Sequence, residues 1–454
     1  MRTPFNKKIN MTEGGIFSNL FAVALPLAIS GVLQLLFNAA DLIVVGRFSD
    51  TPNESIAAVG SNGSLISLII NLALGLSVGA NVVMAQALGA KDADRAHKTV
   101  HTAVFVGIVC GILMGAIVLL GAPAFLTWMK SPAGIIGKAT LYLRIYAFGI
   151  PANILYNFGA AILRAKGDTT RPMIYLTIAG VCNVALNFFL VILGFDVAGV
   201  AIATVLSHWI SALLLIFSLV RETDETRLAP NKIKADKATL ITIVRIGLPS
   251  GLLSSCFSLA NVIIQTAVNE FGEVIASANS VASNLEAFCY TAMNAVALAC
   301  LSFTGQNFGA KKYRRIGKVA TCGCGLAFLV FLLFGGLIWL FREQLSALYN
   351  PDPDIVHYAA ERMLYIVPFY FLCSFNEVFV SGLRGTGRTV APMFISLFCT
   401  CIFRILWVFT VCQAIHEPLM LYLSYPLSWA LNLSLSLTYF LIVYKKLLKQ
   451  NTEK

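Results

Sequence analysis

Charge is what this chain has least of. Only 12% of its 454 residues are Asp, Glu, Lys or Arg, about half of the roughly 25% found in an ordinary soluble domain. So few charges cannot coat the roughly three soluble domains that the length alone would suggest. Long polar stretches are missing as well. The longest, Arg221 to Lys237, is under twenty residues, which leaves no room for a soluble domain. No G-x-x-x-x-G-K-[ST] phosphate loop occurs. The Gly-Lys within Gly134–Thr140 lacks the spacing and the following Ser/Thr, which argues against a pump hydrolysing its own ATP. His97 and His101 stand four apart but without the adjacent Glu of a zinc-protease helix, and no D-x-x-x-D cluster suggests a metal-dependent transferase. The apolar run from Ile16 to Val45 is far longer than a signal-peptide core, so it reads as a retained first helix.

What is present is apolar. Fifty-eight per cent of the residues are hydrophobic, with 31 Phe and 34 Gly, and the mean hydropathy is +0.79. Glycine at that level is tolerated in membrane helices better than in soluble ones. A span needs about 20 apolar residues, and twelve runs qualify: 17–45, 56–84, 99–121, 140–163, 172–193, 198–220, 240–268, 275–303, 316–341, 357–382, 391–413 and 418–443. Barrel strands would be about ten residues long with alternating polarity, and these runs are longer and do not alternate. The fold class is therefore an all-α membrane protein with twelve transmembrane helices. The eleven cysteines fall almost wholly inside the runs and read as small apolar fillers, not as disulfides or a metal cluster.

The net charge of +11 would raise the question of nucleic acid in a soluble chain. Here the basic residues sit in short loops. With the N-terminus cytoplasmic, 26 Lys/Arg fall inside against six outside (Arg47, Lys130, Lys138, Arg144, Arg342, Arg362), and Arg404 is left within a span. That bias is the positive-inside signature. It places both termini in the cytoplasm of a multi-pass protein of the cell membrane, with no nucleic-acid partner. The chain also repeats itself. ALPLAISGVLQLLFNAAD (Ala24–Asp41) resembles GLPSGLLSSCFSLANVII (Gly247–Ile264), aligning Pro26 with Pro249 and Asn38 with Asn261. QALGAK at Gln86 matches QNFGAK at Gln306, and ILRAKGDTTRPM (Ile162–Met173) matches GLRGTGRTVAPM (Gly382–Met393) at six of twelve positions, both at an offset of 220. Six spans per repeat give two parallel halves: 1–220 with helices 1–6, a linker over 221–239, and 240–454 with helices 7–12. Two such lobes suit a transporter that rocks around a central site.

Ionisable residues within spans cost about 2.5–3.5 kcal/mol each at a helix centre and mark candidate sites. They are Asp41, Glu286, Glu377 and Arg404. Arg404 reads as a countercharge to Glu286 or Glu377. No cation stands near Asp41 in its own half, so it is a candidate proton or sodium site, with a packing role as the other reading. Polar residues line up at helical spacing beside it: Gln34, Asn38 and Asp41 on span 1, Asn153 and Asn157 on span 4, Asn183 and Asn187 on span 5. Such amides face protein or a cavity, because lipid offers no hydrogen-bond partner. Asn261, Gln265, Asn294 and Arg404 are the corresponding cavity candidates of the second half. Pro26 and Pro249 are expected to bend helices 1 and 7.

At this point the motifs resemble a known family. Pro26 with the Asn38–Asp41 segment and GRF (Gly46–Phe48), SIAAVG (Ser55–Gly60), GAKDADRA (Gly89–Ala96), LRAKGDTTRPM (Leu163–Met173) and GLRGTGRT (Gly382–Thr389) resemble the multidrug and toxic compound extrusion (MATE) family over essentially the whole chain. The resemblance implies the MATE-like fold of the MOP flippase superfamily, with two pseudo-symmetric six-helix lobes. It also implies a non-enzymatic antiporter, exporting organic cations and drugs in exchange for protons or sodium ions. No cofactor is implied beyond the coupling ion, and the expected partners are small-molecule cargo and membrane lipids, with a monomer as the unit. Residue by residue, Asp41 matches the family's first-helix acid and Thr204 a pocket-lining polar position. Asn183 and Asn187 stand where the family often has Asn and Asp, and Glu286 and Glu377 add acids from spans 8 and 10. Phe257 stands where the sodium-coupled branch commonly has an acid on helix 7, so the chain resembles the DinF type more than the NorM type. A flippase for lipid-linked sugars and a membrane-embedded enzyme are the competing readings. The first tends to line its cavity with several arginines, and this chain has the single mid-span Arg404.

Overall fold

The computed structural model describes residues 9–49, 52–129 and 133–452. Among these every regular element is helical: α1 (Ile16–Phe48), α2 (Pro52–Gly89), α3 (Ala93–Trp128), α4 (Ala133–Ala147), α5 (Ile150–Ala165), α6 (Thr170–Leu190), α7 (Asp196–Val220), α8 (Lys237–Asn269), α9 (Glu273–Gly309), α10 (Tyr313–Leu340), α11 (Arg342–Tyr349), α12 (Pro353–Ile366), α13 (Tyr370–Gly385), α14 (Val390–Ser396), α15 (Phe403–Trp407) and α16 (Pro418–Thr452). Of the basic residues used for orientation, Arg2, Lys7, Lys8, Lys130 and Lys454 lie outside the described residues.

Ten helical stretches are long and apolar enough to cross a membrane, and a bent pair, α4 with α5, adds one more. One of the ten, Thr170–Val220, runs for 51 residues. At 1.5 Å per residue that is about 76 Å of helix, far more than the ~30 Å of hydrocarbon in a bilayer. It breaks at Gly194, where φ is 83°, and at Asp196, where φ is 46°, and α6 packs back against α7. It is therefore two crossings, and each of the twelve apolar runs has its helix.

The departures from smooth helices have local causes. The run 140–163 bends by 45° between α4 and α5, where Pro151 has no N–H to offer the Ala147 carbonyl four residues back. The run 357–382 is interrupted by a 3₁₀ turn, Val367–Phe369, that contains Pro368. Two π-helical turns, Leu397–Ile402 and Val408–Cys412, flank α15. Pro26 lies inside α1 and Pro249 inside α8.

The internal repeat is written into the backbone. Lys91 and Lys311, 220 residues apart, both have φ of 56°, and Gly167 and Gly387, at the same offset, have φ of 90° and 83°. The hydrogen bonds that close these turns match as well: Asp92 N to Ala87 O at 3.0 Å and Lys312 N to Asn307 O at 2.9 Å, then Asp168 N to Leu163 O at 2.9 Å and Arg388 N to Leu383 O at 3.1 Å.

Two compact units divide the described residues: those within 29–251, and those within 9–28 together with 252–452. In the first unit α3 packs on α5 through Gly107, Gly111 and Gly115, one turn apart; a Cβ at Gly111 would stand 2.7 Å from Pro151 Cα. Small residues of this kind let membrane helices approach closely. At the linker end of this unit Lys166, only 7% exposed, pairs with Glu222 and, at 2.6 Å, with Asp224; Arg171 holds Glu222 at 2.5 Å and also meets Asp168. The linker is thus tied down. Leu228 is buried, the Ala229 N–H donates to His101 Nε2 at 3.0 Å, and the Asp236 N–H to Thr102 Oγ1 at 3.0 Å. In the second unit the segment before α1 is anchored by Met11, which is fully buried among Leu20, Phe303 and Val319. Asn307 donates to its carbonyl at 3.0 Å.

Candidate functional site

In the first unit α1, α6 and α7 bring four side chains into one hydrogen-bonded chain. Asn187 Nδ2 donates to Asp41 Oδ1 and, at 3.2 Å, to Asn183 Oδ1. Asn183 Nδ2 donates to Thr204 Oγ1 at 3.4 Å, and Thr204 returns its proton to the Val200 carbonyl at 2.9 Å. The i, i+4 spacing of the two asparagines puts both on one face of α6, and Gly180 one turn earlier lets Phe37 lie against that helix: a Cβ there would fall 1.9 Å from Phe37 Cε2. Asn183 and Asn187 are 5% and 0% exposed, whereas Asp41 is half-buried. Among the described residues no cation pairs with Asp41. Asn187 Oδ1 is buried without a partner. The cluster therefore offers a carboxylate and amide oxygens, an acceptor set suited to a proton or to a hard cation that takes oxygen ligands.

The other candidates of the first unit are placed apart. Asn153 and Asn157 bond to each other at 3.1 Å, and Asn153 meets His208 Nε2 at 3.3 Å. Gln34 and Asn38 are exposed on α1 and share no hydrogen bond with Asp41. His208, missed in the sequence, stands one turn after Thr204 on α7. That i, i+4 relation was the signal for it.

In the second unit the structure corrects the pairing. Glu286 is held by Arg362, not by Arg404. Arg362 Nη2 and Nε donate to Glu286 Oε2 and Oε1 at 2.8 and 3.2 Å, Tyr370 Oη donates to Oε2 at 3.0 Å, and Arg362 Nη1 donates to Asn279 Oδ1 at 2.5 Å. Asn279 in turn donates to Gln265 at 2.8 Å, and Gln265 to Asn269 at 3.0 Å. Arg362 is 3% exposed, so it belongs to the interior and not to an outer loop. Its signal was its place within the run 357–382, on the α12 face that carries the buried Ala359, Met363 and Ile366. Glu377 on α13 is half-buried and has neither ion pair nor hydrogen bond among the described residues, Asn294 is half-buried on α9, and Asn261 is exposed on α8. Arg404 donates through Nε to Ser428 Oγ at 2.8 Å and lies over the rings of Tyr425 and Trp429, at 4.1 and 5.6 Å. The eleven cysteines are all free.

Comparison with known proteins agrees with this architecture. The MatE family model matches residues 26–189 and 249–410, the two repeats. The chain is 26% identical over 447 residues to the probable multidrug resistance protein YoeA of Bacillus subtilis strain 168, covering 96% of each chain. It is 25% identical over 386 residues to the probable multidrug resistance protein NorM of Thermotoga maritima, covering 84% of this chain and 82% of that one. Among solved structures, an outward-facing multidrug resistance MATE family transporter of the MOP superfamily superposes with a TM-score of 0.91 at 22% identity, covering 98% of this chain and all of the other. The repeat, the twelve helices and a family match over most of the length lead to one conclusion: this chain belongs to the MatE family of multidrug efflux transporters, which are transporters and not enzymes.

Proposed function

We propose that the protein is a secondary antiporter that exports organic cations in exchange for protons or sodium ions, with Asp41 as the coupling group. The observation that carries this reading is the Asp41–Asn187–Asn183–Thr204 chain, which presents an uncompensated carboxylate to a single incoming cation. When an ion or proton occupies Asp41, the local charge rises by one unit and a cationic cargo loses its counterion. A ligand shifts a two-state equilibrium only by its differential affinity for the two states, and this change of charge supplies the difference between loaded and unloaded repeats. Rocking of the two repeats then gives alternating access.

The finer assignments rest on the sequence. Phe257 in place of a helix-7 acid supports the DinF-type branch, although the relatives carry both NorM and YoeA names. The Lys/Arg bias supports cytoplasmic termini, and cargo of organic cations and drugs suits the family. The protein works as a monomer in the cell membrane, in contact with lipid. The test is Asp41→Asn, which keeps shape and hydrogen-bonding bulk. In proteoliposomes it is expected to melt as the wild type does and to lose efflux of a fluorescent organic cation under both proton and sodium gradients. Comparison of the two gradients in the wild type names the ion. Normal coupled efflux by Asp41→Asn would overturn the reading.

A further inference from the structure

Arg404 has a property that the reading of Asp41 does not use. It sits on α15, a short α-helical stretch bracketed by the π-helical turns Leu397–Ile402 and Val408–Cys412, and such turns recur at functional sites. It is 5% exposed. Its Nε is engaged by Ser428 and its plane is covered by Tyr425 and Trp429, but Nη2 is buried without a partner. The neighbouring polar residues behave differently. Asn432 bonds to Ser396 at 3.4 Å, to Thr400 at 3.1 Å and to Ser436 at 3.2 Å, so that stripe satisfies itself as interhelical glue does. Arg404 closes the same stripe, yet its Nη2 stays without a partner.

Charge leads to the same place. Arg362 lies over the Tyr425 ring at 5.2 Å, the ring that Arg404 also covers, and the one carboxylate of this group, Glu286, is taken bidentately by Arg362. Glu377, the other inward carboxylate of this unit, forms no ion pair either, so among the described residues no carboxylate contacts Arg404. A buried cation without a partner is costly, and the two Nη groups of a guanidinium match a carboxylate bidentately.

We propose that Arg404, with Tyr425, Trp429 and Ser428, is a binding point for an anionic group: the carboxylate of an aromatic molecule, or a free halide. The rings supply an apolar wall beside the charged edge, which suits a carboxylate attached to an aromatic ring. This site does not depend on the coupling role of Asp41.

The experiment is a thermal melt of the purified full-length protein with sodium benzoate, with its uncharged methyl ester, and with sodium chloride, each on the wild type and on Arg404→Gln. Benzoate is expected to raise the melting temperature of the wild type in a concentration-dependent way, the ester to leave it in place, and Arg404→Gln to lose the response. A chloride response lost in the same variant identifies the halide as a source, and its absence identifies the carboxylate of cargo. Should Arg404→Gln fail to fold, Arg404→Lys keeps the charge without the fork, and its benzoate response must weaken. A full benzoate response in the folded Arg404→Gln, an undiminished one in Arg404→Lys, an equal response to the ester, or no response of the wild type to either anion would overturn the proposal.

Discussion

The Glu286–Arg362 pair allows a prediction with a worked magnitude. The two side chains are 4% and 3% exposed, and four hydrogen bonds converge on them, two between the partners, one from Tyr370 and one to Asn279. Removing one member of a buried pair leaves the other charge uncompensated, which costs about 3–5 kcal/mol. For a unit of this size, each kcal/mol moves the melting point by about 2–4 °C, so either single change should lower it by roughly 6–20 °C. Glu286→Leu should be the worse of the two. It strands a guanidinium, which cannot be discharged, whereas Arg362→Met strands a carboxyl that can escape its cost by taking up a proton. The double variant replaces the pair by apolar groups of similar volume, which is often neutral. Its remaining deficit is the Tyr370 hydroxyl without an acceptor and Asn279 Oδ1 without its donor, about 1–3 kcal/mol each. The assay is a double-mutant cycle on thermal melts in detergent. Single variants within about 1 kcal/mol of the wild type, well under the cost of a stranded charge, would refute the argument, as would a double variant that melts no higher than the worse single one.

Two further outcomes are expected. Gly111→Ala should lose about 1–3 kcal/mol by overpacking, because its Cβ would meet backbone at 2.7 Å, at Pro151 Cα; a wild-type melt would show that α5 can yield there. Burial alone would raise the Glu222 carboxyl, but hydrogen bonds from Lys166 and Arg171 outweigh it and hold the group below the ordinary carboxylate range. Its stabilising contribution is complete above the unfolded value of about 4.3 and is lost as the pH falls through the lower folded value. The protection of residues 221–228 against hydrogen exchange, taken relative to the intrinsic rate at each pH, should therefore fall at acid pH, and Glu222→Gln should remove that pH dependence while loosening the segment at neutral pH. An unchanged acid profile in the variant would remove Glu222 from the account.

The twelve spans were legible because hydropathy is the constraint that lipid imposes, and it acts over windows as long as the helices themselves. Breaks inside a span were not, since Phe148 and Gly149 keep the run apolar while Pro151 bends it. The Asp41 cluster was readable through helical spacing and family likeness, because Asn183 and Asn187 declare a face by their own separation. Which acid meets which cation was hidden. Glu286 and Arg362 are 76 residues apart, on α9 and α12, and nothing in either stretch marks the other. The Lys/Arg count sets Arg362 among the outer charges although it falls within the run 357–382, and the helix buries it beside Met363 and Ile366.

The duplicated turns at Lys91 and Lys311 have a consequence for chemistry as well as for shape. Their matched torsions show that the repeat preserves geometry, yet Ile264 occupies the place of Asp41 in the second copy, and at the offset of 220 Phe403 and Trp407 stand where the first copy has Asn183 and Asn187. The ancestry is symmetric and the chemistry is not. The acceptor set built by Asp41, Asn187 and Asn183 therefore has no counterpart at the matched places of the second copy, where Ile264, Trp407 and Phe403 stand.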